Sequence, residues 1–257
     1  MQNEQVTVVH LKSEVLPNLF RDPATLGEYG AGNSNAVAMN EFSSLMESGA
    51  VGVLAGKIGE ILAKLGDADP QRIAQKPTWF DRMLGREVER HVRYQVARKA
   101  LDELLNDAEG VAQRVRDTLR VLDGLLQSHA ADSDRLRTYI QAGREFLDEN
   151  PQAGFVDTGA LEFDRPRERF ARKLANLATL LSSHELSIAQ MKLTRAQAVD
   201  MLDRFSEITS MLVPVWRQHT LALITTKNMN PAMVKEATKA HHALMRSLSK
   251  SLEGIDT

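Results

Sequence analysis

From Phe170 to Trp216 apolar residues return every three or four positions, through Leu174, Leu177, Leu181, Ile188, Met191, Ala198, Leu202, Phe205 and Leu212, while His184, Arg195 and Thr209 take the remaining steps. Alternating steps of four and three are the spacing of a coiled-coil seam, and no β-strand period sustains such a stripe. A second ladder runs from Ala97 through Leu101, Leu104, Ala108, Val111, Val115, Thr118 and Leu122 to Leu125, inside a helical pattern that spans about Phe80 to Gln127. At 1.5 Å per residue that helix is on the order of 70 Å long, too long to bury its own stripe in a compact globule. Each long helix therefore needs another beside it. The expected fold is all-α, an elongated helical bundle with long antiparallel coiled-coil-like helices.

Breaks in the period divide the chain. Residues 1–28 combine a short run from Val6 to Leu11 with Pro17, Pro23 and Gly27, and are expected to be an irregular lead-in. Residues 29–70 read as a region of short helices that ends at Gly66-Asp67-Ala68-Asp69-Pro70, since glycine suits a helix C-cap and proline cannot continue a helix. Residues 71–257 form the long-helix bundle, one cooperative unit with 29–70. Within it Ser133-Asp134 reads as a fresh helix start, with the third segment folding back along the long helix until Asn150-Pro151. Pro166 suits a first helical turn, Pro214 should kink the helix that contains it, and Pro231 opens a last amphipathic stretch. The polar steps His184, Arg195 and Thr209 would be costly in a dry seam; they either fix register or face a gap between helices.

Composition narrows the chemistry. The 257 residues hold 32 basic and 34 acidic side chains, a net charge of -2 that provides no global field for nucleic acid. There is no cysteine, so no disulfide, thiolate metal site or thiol redox step can be run by this chain. The N-terminal residues lack the pattern of a secretory signal and no window is apolar enough to span a bilayer, which leads to the expectation of a cytoplasmic protein, peripheral to the inner membrane at most through a partner.

Motif tests remove most enzyme classes. Gly30-Ala31-Gly32 lacks the third glycine and preceding strand of a dinucleotide fingerprint, and Gly52 to Ile58 has one residue too few and no hydroxyl for a phosphate loop. Gly52, Gly56 and Gly59 read better as a small-residue helix face for close backbone approach. His184-Glu185 starts like a zinc-protease helix, but Ile188 stands where the second histidine belongs. The expectation is no catalytic residue, no metal and no cofactor. Two clusters are left. Arg82, Arg86, Arg90 and Arg93 share helical spacing and could face an oxyanion, although the interleaved Asp81, Glu87 and Glu89 fit a solvated ion-pair face better. Trp79, Pro214, Trp216 and Arg217 sit near helix ends, where large aromatics serve as packing anchors or as partner contacts.

Four stretches together resemble the TelA-like toxic anion resistance family. They are Gly30-Ala31-Gly32 through Phe42-Ser43 and Gly52-Val53-Leu54 to Leu65-Gly66-Asp67-Ala68-Asp69-Pro70; Trp79-Phe80-Asp81-Arg82-Met83-Leu84 through Tyr94 to Leu104-Leu105; Leu136 to Gly143; and Leu174, Leu177, Ser183, Gln190, Met191 and Leu193 with Pro214-Val215-Trp216-Arg217-Gln218. They span about residues 28–250 in the family's order. Size and content also resemble the smaller product of a plasmid operon that accompanies a larger TelA-like protein and a membrane protein. The resemblance implies a role in tellurite resistance and fertility inhibition, with those operon companions or a second copy as partners; it supplies no catalytic residue. The expected function is a non-enzymatic helical interaction protein. The alternatives are direct oxyanion sequestration by the arginine cluster and inhibition of conjugation through protein contacts.

Overall fold

The computed structural model describes residues 7–31, 49–69, 73, 90–154 and 165–225, with 232, 235–236, 238–243 and 246–247 beyond them. Among these residues the chain is all-α and holds no strand. We label the helices α1 (Val8–His10), α2 (Leu16–Arg21), α3 (Ala50–Asp67), α4 (Arg90–Glu149), α5 (Pro166–Glu207) and α6 (Val213–Thr225). The chain divides into two compact units, one of Met1–Ser48 and Arg120–Arg195, the other of Gly49–Leu119 and Ala196–Thr257. Helices α4 and α5 each contribute a segment to both.

In the first unit α4 and α5 run antiparallel. The pairs Gly143 with Leu174, His129 with His184 and Asp123 with Arg195 ascend one helix as they descend the other. Leu136, Ile140, Phe146, Phe170, Leu174 and Leu177 form the main core, and Leu122, Leu125 and Met191 a smaller one. The ladder of α5 is the buried stripe: Phe170, Leu174, Leu177, His184 and Met191 are all buried, which the seam spacing dictates.

After α4 the chain turns over Asn150 to Gly154. Ala153 donates its N–H to the Asn150 carbonyl, and Gly154 takes a φ of 79°, a conformation that disfavours any side chain. A Cβ there would lie 3.1 Å from both the Arg167 nitrogen and the Phe20 ring. Arg167 then reaches back to donate to the carbonyls of Leu147 and Asn150 at 2.9 and 3.0 Å, placing a cation on the negative end of α4. Pro166 opens α5 as its missing N–H requires.

Two expectations are corrected in this unit. The described part of the lead-in is helical, not irregular: Val8–His10 passes through a π-turn, Leu11–Val15, into α2, and a 3-10 turn follows over Pro23–Glu28. Pro17 and Pro23 each occupy the first turn of their element, so they begin helices instead of breaking one. Leu11, Leu16, Leu26 and Tyr29 enter the core of Phe146 and Phe170, with the Tyr29 hydroxyl donating to the Tyr139 carbonyl at 2.8 Å. Burial pushes that phenol's pKa up. The second correction concerns Ser133-Asp134, which starts no helix. Ser133 donates its hydroxyl to the His129 carbonyl one turn back, at 2.8 Å, and α4 continues without a break. The helix that runs antiparallel to it is α5.

In the second unit α3 buries Leu54, Ile58, Ile61 and Leu65 against Leu101, Ala108, Val111, Val115, Ala198, Phe205, Leu212 and Trp216. Gly49, at φ 58°, precedes α3 as its N-cap. Gly52, Gly56 and Gly59 mediate no close approach among the described residues: all three are exposed, and an added Cβ meets no described atom within 4 Å. Upstream of Pro214 the helix loosens into a π-turn, Ile208–Leu212, where the Val213 N–H reaches the Ile208 carbonyl. That wider turn accommodates the pyrrolidine ring and the carbonyl it would otherwise strike. Pro17 stands in the same relation to the π-turn before α2.

Candidate functional site

The residues near Pro214 separate by depth. Trp216 is fully buried, stacks on Tyr94 with ring centroids 5.8 Å apart, and donates its indole N–H to the Ala68 carbonyl at 2.8 Å. Ala68 follows the last turn of α3, so this bond satisfies a carbonyl that the helix leaves open. The ring is a packing anchor; a partner could reach it only if the unit opened. Arg217 lies one position on and is half-buried, its guanidinium bonded to the Asp102 carboxylate, which Arg98 also approaches at 3.5 Å. Pro214 is exposed. Trp79 lies outside the described residues.

Of the arginine cluster, Arg82 and Arg86 also lie outside the described residues. Arg90 and Arg93 are half-buried in the first turn of α4. Arg93 lines a cleft of about 350 Å³ together with Lys64, Asp67, Ala68, Ile73, Val96 and Ala97. Among the described residues two cations and one carboxylate line a cleft that is otherwise apolar, a set that could hold a small anion or a side chain of mixed character. The sequence reading missed Lys64 and Asp67, because they belong to α3 and meet Arg93 only through the fold.

The three polar ladder steps have different fates. Arg195 escapes the seam and pairs with Asp123 at 2.7 Å on the surface. Thr209 donates its hydroxyl to the Phe205 carbonyl at 3.0 Å. His184 stays in the seam and meets His129, which the sequence reading did not single out because it falls one turn past the last ladder position it followed, Leu125. A further buried histidine, His241, has its pKa lowered by burial, against the opposing pull of the Leu65 backbone and Asp69. Its neighbour His242 points to Asp69 at 3.6 Å and is half exposed, as adjacent helical positions require. Among the described residues no group of three or more metal-ligating side chains converges.

Large apolar side chains stay exposed at helical spacing. Leu186 and Leu193, both 62% exposed, share a face of α5 in the first unit, and Val92 and Val96 share a face of α4 in the second. No helix among the described residues is long and apolar enough to cross a membrane.

No protein-family model and no solved structure matches the chain. A curated relative does: Protein KlaA of Escherichia coli is 73% identical over 256 residues, covering 100% of both chains. Identity at that level along the full length makes this chain a member of the KlaA family.

Proposed function

We propose that the chain is a non-enzymatic helical interaction protein that contributes to tellurite resistance alongside companions encoded in the same plasmid operon. The observation that carries this reading is the full-length likeness to KlaA. The exposed pair Leu186 and Leu193 supports contact with a partner, since an apolar strip at two-turn spacing on a long helix is what a second helix covers. The absence of cysteine in the sequence removes thiol reduction of tellurite by this chain. On this reading the protein works in the cytoplasm and reaches a membrane through its companion. Co-purification from cells that express the whole operon tests it. Leu186→Glu with Leu193→Glu should abolish recovery of an operon companion while leaving the helical content unchanged; equal recovery would exclude this face.

The cleft of Lys64 and Arg93 favours a second reading, direct binding of an oxyanion. Calorimetry of the purified chain with tellurite separates the two. Saturable heat that disappears in Lys64→Ala with Arg93→Ala supports sequestration, and heat no larger than dilution excludes it.

A further inference from the structure

His129 of α4 and His184 of α5 face each other inside the first unit, 0% and 1% exposed, with their Nδ1 atoms 2.9 Å apart and ring centroids 4.9 Å apart. At that distance the two nitrogens share one proton: one ring donates from Nδ1, and the other accepts as the tautomer protonated at Nε2. Both Nε2 atoms are buried with no hydrogen-bond partner among the described residues.

We propose that His129 and His184 form a proton-operated latch between α4 and α5, closed while the facing nitrogens share one proton and opened when each ring carries its own. Two doubly protonated imidazoles cannot face each other through Nδ1, because both atoms are then donors and both rings are cations. A single added proton must go to the buried Nε2 of the donor ring, where no described residue accepts its hydrogen. Opening the helix pair gives both rings water.

Surrounding charges leave the pair in control of its own protonation. On α4, Asp132 lies three residues from His129 and favours the cation, but it is held by Arg135 at 3.4 Å. On α5, Glu185 follows His184, is exposed, and closes on Arg137 of α4 at 2.6 Å. From the N-terminal segment packed on this unit, Lys12 closes on Glu145 and Glu149 and Tyr29 on Tyr139, ten to twenty residues along α4. Burial, reinforced by the neighbouring His184, holds the His129 pKa below its ordinary value. A histidine whose folded pKa is depressed takes up protons on opening, so closure is favoured above about pH 6.5 and weakens as pH falls below it.

Hydrogen exchange of the full-length chain at pH 7.5 and 5.0, corrected for intrinsic rates, tests the latch. Excluding one proton from a site of ordinary pKa raises the opening constant about thirtyfold between these values. Amides around residues 125–133 and 180–188 should show that increase, and His129→Leu with His184→Leu should abolish it. An unchanged opening constant in the natural chain, or the same increase in the double variant, overturns the proposal. If the double variant does not fold, imidazole NMR of the natural chain decides. At least one of the two rings should stay neutral at pH 5.0 wherever the flanking amides remain protected; two protonated rings beneath protected amides overturn the latch.

Discussion

The indole N–H of Trp216 is bonded to the Ala68 carbonyl at 2.8 Å, so the end of α3 is fastened to α6 by a residue 148 positions later in the chain. This bond and the stack on Tyr94 make Trp216 the anchor of the second unit. Trp216→Phe keeps an aromatic ring but strips Ala68 of its donor, and should cost about 1–3 kcal/mol. Trp216→Ala also empties the site and should cost about 3–5 kcal/mol. Urea denaturation followed by circular dichroism checks both, and the order Phe above Ala in stability is the expected outcome.

The N-terminal segment belongs to the folded core. Leu16 is fully buried among Phe146, Phe170 and their neighbours, and Leu16→Ala should destabilise the first unit by about 2–5 kcal/mol. An irregular lead-in would tolerate the change. Hydrogen exchange of α4 near Phe146 separates the two outcomes.

The glycines of the long helices differ in sign. A Cβ on Gly143 would lie 2.5 Å from a methyl of the buried Leu174 and 3.2 Å from the Phe170 ring, whereas on Gly124 it would meet no described atom within 4 Å. Gly124→Ala should therefore gain up to about 1 kcal/mol from helix propensity. Gly143→Ala forces Leu174 out of place, and should lose about 1–3 kcal/mol by overpacking. Melting temperatures of the two variants should move in opposite directions.

What the sequence made legible is what the backbone period controls. The ladder of α5 marks its buried face, Pro166 marks its start, and Pro214 marks the place where the ladder of hydrogen bonds widens. What stayed hidden depends on partners far along the chain. Ser133 has the side chain of a cap, and only the continuous helix around it turns its hydroxyl back to His129. Gly52, Gly56 and Gly59 carry a close-packing spacing, but the face they share is turned to solvent. Trp216 has the composition of an interface residue, and its depth is set by α3 and Tyr94. The same holds for Lys64 and Asp67 in the Arg93 cleft, which no local motif could join.

Ion pairs on these helices contribute little beside the packed residues. Arg195 and Asp123 are each about half exposed at 46% and 50%, so Arg195→Ala should cost no more than about 1 kcal/mol, and less at high salt. A larger loss, insensitive to salt, would show that Arg195 supports the seam by packing.

Tellurite tolerance is the most direct measure of the proposed role. Cells would carry this chain alone, the proposed operon companions alone, or the full set, at matched protein levels. The expected result is protection by the full set only, lost again when Leu186→Glu and Leu193→Glu are introduced together. Full tolerance with the companions alone would contradict the role outright, and protection by this chain alone would replace partner docking with direct binding at the Lys64 and Arg93 cleft.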